Sequence, residues 1–254
     1  MTYRGGNSPK TDTYPRSRDL PETPWRDTPQ LMPTPTQSVI LLHGFGGHPV
    51  QTALLARRLR CHGYSVANIG YPSWRWSIDR VLDHLHQRIA ALPASSGQSL
   101  HFVGHSMGGL LLRAYLARYR PHNLGHVVML GTPNGGSELA DLLYRLRLHP
   151  LVLNHAGALL RTRRDAATEM LFGRVDYSLG IIAGNRAMIG PIPKFVFRAP
   201  NDGKVSVAAT HCDGQADHLV MPVAHTAMIY SRPVADQVVA FLRHGQFQRT
   251  SPDL

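Results

Sequence analysis

Apolar residues are unevenly distributed along the chain. Residues 1–37 carry seven prolines, at 9, 15, 21, 24, 29, 33 and 35, and show no apolar periodicity. Proline at this density removes backbone donors and blocks helix, so the stretch is expected to form an extended or disordered arm. The folded part then begins abruptly. Ser38 to His43 encloses four consecutive branched apolar residues and stops at Gly44. A run that is apolar on both faces predicts a buried parallel strand.

Residues 51–61 predict a helix, with Leu54, Leu55, Arg58 and Leu59 at helical spacing, and residues 64–70 predict a second strand. Residues 77–91 predict another helix, in which Ile78, Val81, Leu82, Leu85 and Ile89 form an apolar stripe. Leu100 to Val103 follows as a strand. Met107 to Tyr119 is expected to be helical, with Leu110, Leu111, Ala114 and Tyr115 on one face and Pro121 closing it. Val127 to Leu130 is the next strand. Strands alternating with helices imply a mostly parallel sheet with right-handed crossovers, an α/β fold.

The alternation breaks at residues 137–175, which hold leucine-rich helical stretches and no clear strand. A helical cap or lid inserted over the C-terminal edge of the sheet is expected there. Alternation resumes with a strand at 178–183, a long loop at 185–203, a strand near 218–223 and a closing helix at about 233–243. The chain therefore divides into the arm, 1–37, and one α/β domain, 38–254. No internal repeat is found.

Composition narrows the class. The 254 residues are 43% hydrophobic, which suits one domain with a sizeable core. No apolar run reaches the roughly 18 residues that span a bilayer, and the N-terminal stretch lacks the apolar core of a signal peptide. A cytoplasmic protein is expected. Cys61 and Cys212 are too few for a disulfide framework and form no metal-ligand spacing, so neither is given a chemical role. The net charge of +11 favours solubility first and attraction to anionic surfaces second. The basic residues are dispersed and no nucleic-acid motif is present, so nucleic acid is not expected as a partner. Transient contact with an anionic membrane surface stays open.

The chemistry lies at strand ends. Gly104-His105-Ser106-Met107-Gly108 matches G-x-S-x-G. In a chain with 23 glycines the pattern alone is weak. Its context strengthens it, because it follows a predicted buried strand directly and opens a predicted helix. A nucleophilic serine needs that sharp strand-to-helix turn to raise its hydroxyl above the sheet, and the glycines remove side chains where strand and helix approach. The helix N-terminus also brings the Met107 N–H beside the reacting centre as an oxyanion donor. His43-Gly44-Phe45-Gly46-Gly47, at another strand end, offers the Phe45 N–H as the second donor.

Together with Gly131-Thr132-Pro133-Asn134-Gly135-Gly136-Ser137, these motifs resemble the α/β-hydrolase superfamily, in particular its bacterial lipase and esterase branch. The resemblance covers about residues 38–244 and leaves the arm unexplained. It implies an α/β-hydrolase fold and a Ser–Asp–His triad in that chain order. His225, after the last strand and before the closing helix, is then the expected base; His211 and His218 are the competitors. Asp202, in Asn201-Asp202-Gly203, is the expected acid, with Asp213 and Asp217 as alternatives. His43 and His105 are read as supporting their loops. No cofactor or metal is expected.

Tyr71, Trp74 and Trp76 follow the second strand and are expected near the mouth of the site, and the two tryptophans are candidates to bind substrate or touch an interface. Leu139, Leu142, Leu143 and Leu146 at helical spacing, with Arg145, Arg147, Arg161, Arg163 and Arg164, make the cap amphipathic and basic. The expected activity is hydrolysis of carboxylic acyl esters through an acyl-enzyme on Ser106. A thioesterase or acyltransferase with the same triad, or an inactive hydrolase fold serving as a binding module, are the other readings. Oligomeric state is left open.

Overall fold

The branched residues of β1 (Gln37–Leu42) alternate between two hydrophobic cores. Ile40 and Leu42 pack into one, Val39 and Leu41 into the other on the opposite face. A strand covered on both faces has no polar side to show, which is why its sequence is continuously apolar. The computed structural model describes residues 37–92, 98–187, 196–197 and 199–249. The expected arm, Gln37 apart, and part of the expected 185–203 loop lie outside the described residues.

After β1 come α1 (Pro49–Cys61), β2 (Tyr64–Ile69), α2 (Ile78–Ala90), β3 (Ser99–His105), α3 (Met107–Tyr119) and β4 (Leu124–Leu130). The segment expected to form the cap opens with α4 (Glu138–Arg145) and continues as short helical turns at His149–Val152, Asn154–Ala156, Gly157–Leu160 and Ala166–Met170. β5 (Leu179–Gly184), β6 (Asp217–Met221) and a closing helix (Arg232–His244) complete the domain. Helix ends follow local chemistry. Ser77 and Ser231 cap α2 and the closing helix by accepting from backbone N–H groups, and Gly245 ends the latter in a left-handed conformation.

The six strands form one sheet in the order β2-β1-β3-β4-β5-β6, and every neighbouring pair is parallel. The chain runs outward from β1 to β2, then returns to set β3 on the other side of β1. That reversal opens a crevice at the C-terminal ends of β1 and β3, where ligands collect in open α/β sheets. Leu42 pairs with Gly104 across these strands, so the loop after β1 and the turn after β3 leave the sheet at one level. Among the described residues no helix is long and apolar enough to cross a membrane.

Two histidines are held neutral inside this frame. His101 on β3 is buried, and its Nδ1 accepts the His126 N–H at 2.8 Å. His218 on β6 stacks on His211 with centroids 3.9 Å apart. Burial pushes each down to about 4. Between an ordinary histidine value of about 6.5 and that value, the unfolded chain binds protons that the folded chain refuses. This stability is fully present above pH ~6.5 and is lost as pH falls toward 4. The urea midpoint, followed by tryptophan fluorescence, is expected to be lower at pH 5 than at pH 7.5; equal midpoints would contradict neutral burial of the two imidazoles.

Candidate active site

β3 turns into α3 through a single residue, Ser106, whose backbone sits at φ 56 and ψ −126. A side-chain-bearing residue in this region costs on the order of 1–3 kcal/mol and persists only when its surroundings over-determine it. Here the Ser106 N–H donates to the Leu130 carbonyl at 2.8 Å, and its own carbonyl accepts from the Gly109 N–H at 3.0 Å. The glycines allow the approach. A Cβ at 104 would lie 2.6 Å from the Gly109 nitrogen, and one at 108 would lie 2.5 Å from the His43 carbonyl oxygen. A Cβ at 109 would overlap the Thr132 hydroxyl.

The loop after β1 presses against this turn. A Cβ at Gly44 would come within 3.0 Å of Ser106 Cβ. Gly46 adopts φ 64, and its N–H donates to Ser73 Oγ at 2.8 Å. The buried His43 ring underlies the loop. Its Nδ1 lies 2.8 Å from the Gly44 carbonyl oxygen, and its Nε2 accepts the Tyr71 N–H at 3.3 Å. Nδ1 therefore carries the proton, and burial holds the ring below its ordinary pKa. Tyr71 stacks on it at 4.2 Å and donates its hydroxyl to the His43 carbonyl. Among the described residues, the Phe45 and Met107 amides donate to no acceptor. Met107 is the first residue of α3, where backbone N–H groups have no intrahelical partner.

Asp202 and His225 meet below the same opening. Asp202 Oδ2 lies 2.7 Å from His225 Nδ1, and the residues are 1% and 3% exposed. Asp202 Oδ1 accepts the Lys204 and Val205 N–H groups at 2.9 and 2.8 Å. The His225 N–H donates to the Asp202 carbonyl at 3.0 Å. His105, which burial pushes down to about 3, is neutral, and its Nε2 lies 3.1 Å from the His225 carbonyl oxygen. Ser106, Phe45 and His225 line one cavity of about 290 Å³.

The competitors are placed elsewhere. His211 stacks on His218, Asp213 borders a separate polar cleft beside Cys212, and Asp217 pairs with Arg249 at 2.5 Å. The tryptophans are not brought into the cavity. Trp74 is 44% exposed, and Trp76 packs edge-on against His84 with the Arg80 guanidinium 4.4 Å from its ring centroid. Tyr71, expected near the mouth, is buried beneath the β1 loop instead. The apolar wall comes from the cap, through Leu139, Leu143, Leu153 and Leu160, joined by Val205 and Ile229. The helical spacing of Leu139 and Leu143 is the signal that pointed to them. Val205 and Ile229 have no such signal. Among the described residues no cluster of three or more His, Cys, Asp or Glu is placed to hold a metal ion. Cys61 and Cys212 are free thiols.

Two substitutions probe this construction. Gly104→Ala is expected to lower the urea-unfolding free energy by about 2 kcal/mol or more, because backbone rather than a flexible side chain must give way. Tyr71→Phe leaves the buried His43 carbonyl unpaired and should cost about 1–3 kcal/mol in the same measurement. Unchanged stability in either variant would contradict the contact described.

Residues 37–205 match the family model described as alpha/beta hydrolase fold. Among curated proteins, the chain is 33% identical over 119 residues to a triacylglycerol lipase of Pseudarthrobacter phenanthrenivorans, a match covering 41% of this chain and 35% of that one. A triacylglycerol lipase of Burkholderia plantarii matches at 33% identity, covering 41% and 32%. The match thus spans about a third of the length of these relatives. Among solved structures, the mature lipase BlEst2 of Bacillus licheniformis superposes with a TM-score of 0.62 at 19% identity, covering 83% of this chain and 92% of that one. A parallel sheet with a serine turn at its switch point and a family match that runs from β1 to the loop bearing Asp202 agree, and the chain belongs to the α/β hydrolase fold family.

Proposed function

We propose that the protein is a serine-dependent hydrolase of carboxylic acyl esters. The observation that carries this reading is the strained Ser106 turn in one cavity with His225, whose Nδ1 faces the buried Asp202 carboxylate. Ser106 attacks the ester carbonyl while His225 Nε2 takes its proton. Asp202 fixes the imidazole through Nδ1 and stabilises its charged form. The Phe45 and Met107 amides hold the oxyanion, a contribution of about 10²–10³ in rate per donor. His225 then returns the proton to the leaving alcohol. Water, activated by the same imidazole, releases the acid. The lipase names of the curated relatives and of the structural neighbour support esters as the substrate class. An inactive binding module would have no use for a serine held at this backbone cost. A thioesterase or acyltransferase shares the triad and differs in the acceptor.

The cavity, at about 290 Å³, stands at the small end of ligand pockets. Short acyl chains fit under the closed cap, and longer ones require the cap to move. The cap also carries Leu146, Leu148, Leu151 and Val152 exposed, the third at 75%, beside Arg145 and Arg147. Such a surface suits transient contact with an anionic membrane. The proposed setting is the cytoplasm, where Cys61 and Cys212 stay reduced.

Hydrolysis of p-nitrophenyl esters from acetyl to palmitoyl tests the reading. Activity is expected to be highest on the short members and to fall by about 10⁴-fold or more in Ser106→Ala. Activity surviving in that variant, or a folded wild type inert on every member, would overturn it. For the membrane contact, co-sedimentation with phosphatidylglycerol vesicles but not phosphatidylcholine vesicles is expected, and Leu151→Asp should weaken it severalfold. Equal binding by Leu151→Asp would remove this surface from the account.

A further inference from the structure

The segment Gly131 to Ser137 supplies no group to the mechanism above, yet it is built tightly around it. Gly131 adopts φ 55, and a Cβ there would lie 3.0 Å from Asp202 Oδ2 and 3.1 Å from His225 Nδ1. Gly136 adopts φ 91 against the backbone of Arg161 and Thr162. The chain is thus delivered from the end of β4, past the buried acid–base pair, to Ser137 and Glu138 at the start of α4. The buried Arg164 side chain fastens the segment, donating to the Pro133 and Asn134 carbonyls at 2.8 Å each.

Ser137 and Glu138 both turn toward the loop that bears Asp202. The Ser137 hydroxyl donates to the Lys204 carbonyl at 2.8 Å. Glu138 Oε1 accepts the Ser206 hydroxyl at 2.7 Å. Lys204 and Val205 are the residues whose N–H groups hold Asp202 Oδ1. The two contacts therefore grip the chain at 204 and at 206, on either side of Val205. The Asp202 side chain is 0% exposed, so no bulk water replaces those amides if the loop shifts. Glu138 Oε2 is buried with no hydrogen-bond partner among the described residues. A carboxylate oxygen so placed does not stabilise the fold. The gain from Glu138 lies in what Oε1 holds.

We propose that Ser137 and Glu138 are positioning residues for Asp202: they lock the Lys204–Ser206 loop so that its amides keep the carboxylate aimed at His225 Nδ1. This rests on the triad reading. It also gives the Gly131–Ser137 motif its task, which is to carry the first turn of the cap onto the acid loop. The start of α4 then stays with the sheet whenever the rest of the cap moves.

A double-mutant cycle on the full chain tests this, with p-nitrophenyl butyrate as substrate and kcat and KM measured separately. Glu138→Ala is expected to lower kcat about tenfold, on the order of one hydrogen bond to a charged group, with KM changed less than twofold. Glu138→Gln keeps an acceptor oxygen for Ser206 and should restore most of the loss. In an Asp202→Ala background, Glu138→Ala should cause no further fall, because its effect passes through Asp202. A full tenfold fall in that background, or a change in KM alone, would overturn the proposal. An Asp202→Ala enzyme with undiminished kcat would instead sink the triad reading itself. Should Glu138→Ala fail to fold, Ser137→Ala enters the same cycle with the same deciding outcomes.

Discussion

The site depends on backbone touching backbone where β3 becomes α3. Ser106 holds its left-handed conformation because Gly104, Gly108 and Gly109 let the strand, the helix and the loop after β1 close on one another. No side chain fits between these segments. The strain is local, and the packing that sustains it is shared among three elements. The same approach sets the Met107 N–H at the helix start and the Phe45 N–H of the facing loop around the serine. Among the described residues, a strained serine and two amides without an acceptor thus follow from one steric condition.

Around that condition lies a layer of neutral aromatic rings. His43 is a spacer between the β1 loop and Tyr71, with both ring nitrogens engaged. His105 contacts the carbonyl of His225. Burial keeps both uncharged, so they leave no competing positive charge beside His225. Asp202 is different: two amides and an imidazole surround its carboxylate, which lets it stay inside the protein. The division is physical. Uncharged histidines support the loops, and one histidine, His225, has a carboxylate partner.

The helical insertion between β4 and β5 supplies apolar surface to the cavity. Its leucines face the cavity from one side of α4 and from the turns that follow, while Leu146 and Leu151 face outward. An amphipathic helix on a sheet edge normally buries its apolar side and stops there. Here the buried side forms the wall of a cavity, and the exposed Leu146 and Leu151 follow the C-terminal end of α4. Much of the cavity's apolar wall is therefore a property of this insertion rather than of the sheet.

Much of this was legible in the chain itself. Four consecutive branched apolar residues at 39–42 announced a strand buried on both faces, and the alternation that follows announced the parallel sheet. α3 begins and ends at the residues that its periodicity and Pro121 indicate. Those features are local, and local spacing records them. The strand ends were less legible: β4 begins at Leu124 rather than Val127, because pairing with β3 extends the strand past its apolar residues. Tyr71 and Trp76 show the sharper limit. Both follow a strand that points toward the mouth, and sequence position made them candidates for it, yet a ring is placed by the partners it finds. Tyr71 found His43, and Trp76 found His84 and Arg80. Which carboxylate pairs with His225 was likewise decided by the fold, which set Asp202 2.7 Å from its ring and gave Asp217 to Arg249. The sequence determined the elements and the strained serine turn, because hydrophobic period and glycine spacing act between near neighbours. Only the tertiary structure decided which distant side chains share a cavity, because that depends on where 254 residues return in space.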